Sequence, residues 1–303
     1  MSFKIASAED YGRVLQLKSI DEKNIPQEVT ISVNFEKISG EFPDGEKYTL
    51  LKPTYKFENW NYGNPSNFQF SPRVAPVVYG LGLLSLIPEE DLKKKEDIND
   101  SDNDGISGKL NLVENRVTRQ KEIGRFGWKA GQPNLKQFIA TALLEDIGIT
   151  SEIFLEQNCT KVQTSCKQKQ SHGMEIDLNS LDDLEFYIKY LAVPARRNLE
   201  NQDVKIGKNL FISIGCESCH ISEWKTGKHS ENPELSEQTI YPYTDLMLHD
   251  MGDGLADGFE EFLANGKEWR TPPLWGIGLY SQISQHNFLL HDGRARGLQE
   301  AIL

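Results

Sequence analysis

The sequence lacks a long apolar run, an excess of positive charge and any tract of low complexity. Its longest mostly apolar stretch, residues 77–87, is too short to span a bilayer. The net charge of −12 and the pI near 5.1 disfavour nucleic acid and anionic membranes as partners, but they suit a small basic protein. With 303 residues and no internal repeat, the chain is expected to form one large or two modest domains.

One short run, Cys216-Glu-Ser-Cys219-His220, carries the most specific chemistry. Cys-x-x-Cys-His is the attachment site of a c-type haem, in which both cysteines form thioethers and the histidine is the proximal iron ligand. Residues 207–215 (GKNLFISIG) give the approach typical of a cytochrome c helix. A redox dithiol motif does not require a histidine directly after the second cysteine, so the histidine favours the haem interpretation. Half of a zinc site would need another Cys/His pair at ligand spacing, which the sequence lacks.

Haem of this kind is normally attached outside the cytoplasm, yet residues 1–14 (MSFKIASAEDYGRV) show no signal peptide. We therefore expect an exported, periplasmic protein of which this chain is a mature portion or fragment. The end of the chain at residues 300–303, within a helical pattern, favours the same interpretation.

The other two cysteines, Cys159 and Cys166, lie seven residues apart in a polar segment. In an exported protein this spacing predicts a small disulfide loop that holds a surface excursion. A metal site that includes His172 is the alternative, although one nearby histidine does not complete a zinc shell.

An acidic loop follows the first helical segment. Asp100, Asp102 and Asp104 occupy positions 1, 3 and 5 of a potential calcium loop, with glycine at position 6 and the Ile106 carbonyl at position 7. Position 12 is Asn111, where an EF-hand has a bidentate glutamate. A weak calcium site and a solvated turn remain the two alternatives.

Residue patterns predict both strands and helices. Residues 31–35 alternate in polarity, residues 48–57 are extended and aromatic, and the turn at 43–45 between them favours a β-hairpin. Helical periodicity then dominates, with apolar stripes at 135–143 and 181–191.

Several motifs, in order along the chain, are similar to those of one protein family. They are SPRVAP at 71–76, GLGLL at 80–84, DNDGISG at 102–108, GRFGWKA at 124–130, LAVPARR at 191–197, YPYTDLMLHDMG at 241–252, WRTPPLWGIG at 269–278 and LHDGR at 290–294. From about residue 50 onward the chain resembles the dihaem oxidoreductases. These are often labelled thiol oxidoreductases and are related to bacterial dihaem cytochrome c peroxidases.

The resemblance implies a mainly α fold, with a cytochrome c-like haem domain and a partial second cytochrome c-like domain that carries a β-hairpin insertion. Residues 1–90 would be the loop-rich remnant of the amino-terminal haem domain, 91–197 its helical part, and 198–303 the carboxyl-terminal cytochrome c domain. The family has two Cys-x-x-Cys-His sites and this chain has one. We therefore expect one haem c here and two in the full-length protein, with the missing site before Met1.

The resemblance also suggests roles for residues away from the haem motif. Trp128 is similar to a tryptophan between the two haems. Gln137 and Asp146 fall near the amide and the acid of the peroxide pocket, although the peroxidases carry glutamate where Asp146 stands. The distal ligand of the carboxyl-terminal haem would fall just beyond Leu303.

Within the chain, His249 and Met251 are candidates for the distal iron ligand, because a histidine or a thioether can fill that position. Met247 is a third candidate, and packing against the porphyrin is the alternative role. Arg270 and Arg294 are candidates to bind haem propionates through charge-assisted hydrogen bonds.

Two functions follow from this interpretation. In the first, the chain relays electrons within a periplasmic dihaem peroxidase-like oxidoreductase that uses peroxide and a small electron-donor protein, and the chain alone is inactive. In the second, it is a monohaem electron carrier or haem-binding module without catalysis.

Overall fold

The structure is a computed structural model that describes residues 1–6, 9–19, 21, 23, 25–170 and 173–303. His172, the alternative metal ligand, lies outside the described residues. Helices make up 25% and strands 20% of the fold. The predicted mainly α, cytochrome c-like fold is therefore wrong. Among the described residues only three helices reach 12 or 13 residues, at Leu135–Ile147, Leu178–Lys189 and Gln202–Ser213, and loops and strands occupy much of the rest.

The ten strands of the described chain form five two-stranded antiparallel sheets. They are β1 (Ser2–Ala6), β2 (Thr30–Glu41), β3 (Lys47–Glu58), β4 (Gln69–Arg73), β5 (Leu112–Glu114), β6 (Lys121–Ile123), β7 (Trp224–Lys225), β8 (Thr239–Ile240), β9 (Leu248–Asp250) and β10 (Glu268–Arg270). The pairs are β1 with β4, β2 with β3, β5 with β6, β7 with β8, and β9 with β10.

The helices are short. They are α1 (Leu81–Ser85), α2 (Glu89–Lys93), α3 (Leu135–Ile147), α4 (Thr164–Lys169), α5 (Leu178–Lys189), α6 (Gln202–Ser213), α7 (Gly252–Leu255), α8 (Tyr280–Ile283) and α9 (Leu298–Ile302). No helix within the described ranges has the length and apolarity needed to cross a bilayer.

The expected β-hairpin is present as β2 and β3, each of 12 residues. Gly45 makes the turn with φ of 89°, a left-handed conformation that glycine adopts without steric cost. Aromatic and apolar side chains from one half of the hairpin pack on Phe3 of β1, Tyr11 and Phe70 of β4, and form an amino-terminal core. The other half is exposed, and includes Phe35 and Ile38.

The main hydrophobic core draws on all three predicted segments of the chain. Leu84 belongs to the first segment, Phe126 and Leu135 to the second, and Leu246 and Trp275 to the third. The main core therefore crosses both predicted boundaries, 90/91 and 197/198, whereas the amino-terminal core lies within residues 1–90, and the division into domains stays a prediction.

A buried group of paired charges, which we call the charge cluster, ties β4 to the segment before β10. Lys129 is fully buried, and its ammonium donates to Asp257 Oδ1 at 2.9 Å and to the carbonyls of Phe259 and Asn265. Arg73 pairs with Glu261 at 2.8 Å. The Lys129 ammonium also lies 4.4 Å from the centre of the Trp269 ring.

The predicted link between Cys159 and Cys166 is a disulfide in the structure, with a Cα–Cα distance of 5.7 Å. Within the loop that it closes, Gln163 donates a short hydrogen bond to the buried Glu28 carboxylate. The disulfide loop is thus attached to the amino-terminal part of the chain, rather than projecting freely from the surface.

Candidate functional site

The two free cysteines of the haem motif lie on one turn after α6. The helix begins at the Asn201 cap, whose side chain accepts a hydrogen bond from Asp203 N, and it ends before Gly215. Gly215 has φ of 89°, which turns the chain into a 3₁₀ turn over Cys216–Ser218. The motif is therefore presented at the carboxyl end of a short helix, with both thiols unpaired and half-buried.

The next residue, His220, has its ring fixed by the backbone. Its Nδ1 lies 2.8 Å from the Tyr243 carbonyl oxygen. A carbonyl can only accept, so Nδ1 carries the proton and Nε2 keeps its lone pair. Burial lowers the pKa of His220, although the hydrogen bond to Tyr243 opposes this effect. The imidazole is thus neutral near pH 7, with a free nitrogen of the kind that binds iron.

His249, a candidate distal ligand, is placed differently. Its Nδ1 lies 2.8 Å from the Ser107 carbonyl, and its Nε2 lies 2.8 Å from Asp245 Oδ2. Both nitrogens therefore donate. Burial lowers the pKa of His249, but the hydrogen bond to Asp245 and the neighbouring Cys219 outweigh burial and raise it to about 10. In this arrangement His249 offers no lone pair to a metal.

The methionines near His249 differ in exposure. Met251 is 49% exposed, and Met247 is buried in the main core at 1% exposure. The thioether of Met251 is thus accessible, whereas that of Met247 packs against other side chains. Met251 remains a prediction for the distal ligand.

Two adjoining cavities of about 700 and 270 Å³ open beside α6. Both are lined by Arg196, Leu199, Val204 and Tyr243, so they form one continuous groove, which we call the α6 groove. Its combined size falls in the range of small-molecule and cofactor sites. Because the Tyr243 carbonyl accepts from His220, the groove is connected to the haem motif through one residue.

The α6 groove has a wall that a cofactor would cover. None of the α6 residues is buried, and Val204, which lines both cavities, is 41% exposed. The rest of the lining is largely apolar or aromatic, with Arg196 and Arg197 as the charged groups of the larger cavity. The residues present therefore fit a large, mostly apolar group.

The predicted propionate ligands Arg270 and Arg294 line neither cavity. Arg270 is buried, donates to the carbonyls of Gly127 and Thr271, and has its pKa lowered to about 10 by burial. Arg294 donates to Asp292 and to the Gly254 carbonyl. Both guanidinium groups are already engaged within the protein.

The residues suggested for a peroxide pocket are not brought together. Gln137 and Asp146 are nine positions apart on α3, which places them about 13 Å apart along the axis and on opposite faces. Gln137 is buried, accepts from Arg116 N, and donates to Glu114 O and Gln132 Oε1. Asp146 is exposed. Their predicted roles therefore rest on the resemblance alone.

Trp128 lies at the edge of the charge cluster. Its Nε1 donates to the Val74 carbonyl at 2.8 Å, and its ring meets Trp269 edge-on with centroids 6.5 Å apart. Trp269 in turn stacks on His291 at 3.8 Å. The three rings form a continuous aromatic contact, and the role of Trp128 between two haems stays a prediction.

In the acidic loop, a different set of carboxylates converges from the one predicted. Asp97, Asp100 and Asp102 place oxygens within 4.8 Å of one another. The Asp104 carboxylate instead accepts from Ile106 N, and Asp100 accepts from Gly105 N. The sequence feature that could have indicated Asp97 as a third carboxylate is the high density of acidic residues just before the loop.

Sequence reasoning missed the residues that line the α6 groove opposite the motif. Arg196 and Arg197 end the LAVPARR motif, and Trp275 lies in the WRTPPLWGIG motif, but neither motif was assigned to a binding site. Two adjacent arginines after a proline were the available signal for an anion contact.

Comparison with protein families gives one result. A family model described as "Di-haem oxidoreductase, putative peroxidase" matches residues 12–303. No curated protein and no solved structure gives a significant match.

Proposed function

The chain belongs to the di-haem oxidoreductase family, and we propose that it carries one haem c, on Cys216 and Cys219, for electron transfer. His220 would be the proximal iron ligand. Membership of the family implies haem-based redox chemistry with redox partners. The covalent attachment and the count of one haem in this chain are our proposal.

The hydrogen bond from His220 Nδ1 to the Tyr243 carbonyl is the observation that carries this proposal. Histidines that bind metals usually donate the other ring nitrogen to a carbonyl or carboxylate, which fixes the tautomer and the ring orientation. Here that support comes from a residue that also lines the α6 groove. A zinc site is disfavoured because Cys219 has His249 as its neighbour, at 3.7 Å, and both nitrogens of His249 are occupied.

When bound, haem supplies one-electron redox chemistry. The residues of this chain would attach and orient it. Each thiol of Cys216 and Cys219 would add across one vinyl group: a C–S bond would form, the thiol hydrogen would go to the other vinyl carbon, and no oxidant would be consumed. His220 Nε2 would be the iron ligand, and the Tyr243 carbonyl keeps the proton on Nδ1.

The test is expression with a cytochrome c maturation system, followed by a pyridine haemochrome assay. We expect one haem per chain in the wild type and none covalently bound in Cys216→Ser/Cys219→Ser. The matched control is Cys159→Ser/Cys166→Ser, which removes the disulfide pair and should keep the haem. Covalent haem in the first variant, or its absence in the wild type, would refute the proposal.

For the distal position, we propose that the expected ligand is not His249 in the arrangement described, since both of its ring nitrogens donate. Met251 is the exposed alternative within the chain. Histidine or methionine ligation gives a low-spin haem, whereas a five-coordinate haem is high-spin. A low-spin spectrum that becomes high-spin in Met251→Ala assigns the ligand to Met251, and an unchanged spectrum excludes it.

We further propose that electron transfer serves a periplasmic peroxidase-like enzyme with a second haem and a small electron-donor protein. Reduction of peroxide to two waters takes two electrons and two protons, and one haem stores one electron. This chain alone should therefore show no turnover with peroxide and a reduced donor. Steady turnover by the purified chain would contradict this proposal.

The second candidate function is a monohaem electron carrier, and the single Cys-x-x-Cys-His in these 303 residues favours it. The two candidate functions predict different numbers of covalent haems in the protein that the complete gene encodes. A second covalent haem in that product supports the dihaem enzyme, and a product with one haem supports the carrier.

Calcium binding in the acidic loop also remains a proposal, supported by the convergence of Asp97, Asp100 and Asp102. Oxygen ligands on a loop suit calcium better than magnesium. Calorimetric titration should give millimolar affinity in the wild type and none in Asp100→Asn/Asp102→Asn. If no heat of binding is measured at millimolar calcium, the loop is a solvated turn without a calcium site.

A further inference from the structure

Strand β2 presents a free edge in the exposed half of the hairpin. At the turn, Phe42 N donates to the Glu46 carbonyl at 2.8 Å. Hydrogen-bonded and non-hydrogen-bonded pairs alternate along an antiparallel ladder, so the odd-numbered residues of β2 direct their backbone groups away from β3. Among the described residues, Lys37, Ser39 and Glu41 have no backbone partner at this edge. The exposed half of β2 therefore ends in unpaired N–H and C=O groups.

The opposite edge of the hairpin, on β3, is protected. Pro53 has no N–H to offer to another strand, and the Arg296 guanidinium donates to the Thr49 carbonyl at 2.8 Å. Strand β2 has neither device, because residues 34–39 are all exposed and its 12-residue register with β3 contains no bulge. Proline, bulges and covering groups are common defences of an edge strand. The hairpin is thus open to strand addition on its β2 side.

The charges along this edge are self-complementary. Lys37 and Glu41 lie on one face of β2, since they are four residues apart, and neither forms an ion pair among the described residues. If a second copy adds antiparallel with Ser39 opposite Ser39, each Lys37 lies opposite Glu41 of the partner subunit. An axis at residue 37 would instead oppose two lysines, and an axis at residue 36 two glutamates. Opposite charges across a strand pair are stabilising and like charges destabilising, which favours the register centred on Ser39.

The other face of β2 adds an apolar contact in the same register. Ile38 is 47% exposed, and it would lie opposite Gly40 of the partner subunit. A Cβ on Gly40 would lie 2.2 Å from the Tyr48 ring, so this ring covers the glycine. Ile38 therefore meets an aromatic surface rather than a bare backbone, and two-fold symmetry makes the contact twice.

We propose that this chain forms a dimer by antiparallel pairing of β2 with β2 of a second copy, centred on Ser39. The pairing joins the two hairpins into a four-stranded sheet. It uses the free backbone groups of Lys37, Ser39 and Glu41 in each copy and places two Lys37–Glu41 pairs across the axis. The dimer needs no haem, so its absence would leave the proposed function standing.

Charge reversal tests the register. Sedimentation equilibrium at about 0.15 M salt, which screens the repulsion between two chains of net charge −12, measures the dissociation constant of the wild type, Lys37→Glu and Glu41→Lys. Either change turns two attractive pairs into two like-charge pairs and should raise the dissociation constant on the order of tenfold. Lys228→Glu reverses an exposed charge outside the hairpin and should have little effect. An equimolar mixture of Lys37→Glu and Glu41→Lys should recover association, because all the facing charges are then opposite.

A proline at the edge tests the backbone pairing separately. Ser39→Pro removes an N–H that does not serve β3, so the hairpin should persist while the dimer dissociates. Thr49→Pro is the matched control, because Thr49 lies opposite Ser39 on β3 and its N–H faces away from the second copy. A monomeric wild type would overturn the proposal and leave the edge to an unlike strand. A dimer that Lys37→Glu, Glu41→Lys and Ser39→Pro all leave intact, or a mixture that stays monomeric, would overturn it as well.

Discussion

In the charge cluster, the ammonium of the fully buried Lys129 finds three acceptors, whereas in the α6 groove Arg196 and Arg197 line an open cavity and form no ion pair among the described residues. The same contrast holds for shape. Trp269 packs against Lys129 and His291, while Val204 of α6 is 41% exposed at the wall of the groove. The charge cluster keeps one buried donor without a partner, Arg73 Nη2, but protein groups cover its side chains, whereas the groove has a surface that an added group would cover.

The comparison teaches how to tell a structural polar group from a ligand-binding one. In the charge cluster, Glu261 is buried, and burial raises its pKa, but Lys4 and Arg73 outweigh burial and hold that pKa well below its usual range. Charges matched in this way support the fold. In the α6 groove, Arg196 and Arg197 line a cavity instead and form no ion pair among the described residues, as cations of a ligand-binding site would.

The charge cluster offers the largest expected effect. Lys129→Met keeps the length of the side chain but leaves the Asp257 carboxylate, 2% exposed, without its cation. Removing one partner of a buried ion pair costs about 3–5 kcal/mol of the free energy of unfolding. Urea denaturation followed by circular dichroism measures this loss.

The control for Lys129 is an exposed ion pair. Lys93→Met removes the partner of Glu89, where both side chains are about half exposed. Such pairs contribute under about 1 kcal/mol. If both variants lose the same amount of unfolding free energy, the buried ion pairs of the charge cluster contribute no more to stability than an exposed pair.

A smaller loss of unfolding free energy is expected at the disulfide loop, which belongs neither to the charge cluster nor to the α6 groove. Cys159→Ser/Cys166→Ser releases a loop of seven-residue separation, and loop-closure entropy assigns it about 2–3 kcal/mol. The same denaturation experiment, with and without reductant, measures the difference. Peptide mapping without reduction should recover the two cysteines in one linked peptide pair, and two free thiols after oxidative export would contradict the pairing.

Sequence patterns predicted the features whose residues are close together in the chain. The haem motif after α6, the β-hairpin and the disulfide each depend on residues within a short stretch. The charge cluster could not be predicted, because Lys129 and Asp257 are 128 positions apart and meet only through the fold. The fold class was wrong for a similar reason. The mainly α fold was implied by the resemblance, and two helical stripes agreed with it, but loops and paired short strands held by long-range contacts make up much of the chain.

The smallest expected effect belongs to the α6 groove without haem. Val204 lines the groove and is 41% exposed, so Val204→Ala should change the free energy of unfolding by less than about 0.5 kcal/mol in the Cys216→Ser/Cys219→Ser background. Alanine also has the higher helix propensity. Leu135→Ala on α3 is the buried control, because Leu135 is 2% exposed, and it should cost about 2–5 kcal/mol with or without haem.

With haem attached, the same Val204→Ala change should become costly. If the cofactor fills the α6 groove, the valine side chain is removed from water, and the loss of its two methyl carbons costs about 1.5 kcal/mol, at about 0.8 kcal/mol for each buried carbon. Denaturation of the holoprotein therefore separates the two regions: the cost at Leu135 stays constant, and the cost at Val204 appears only with haem. A cost at Val204 that is the same in both forms would mean that haem does not fill this groove, and the contrast between the α6 groove and the charge cluster would then need another cause.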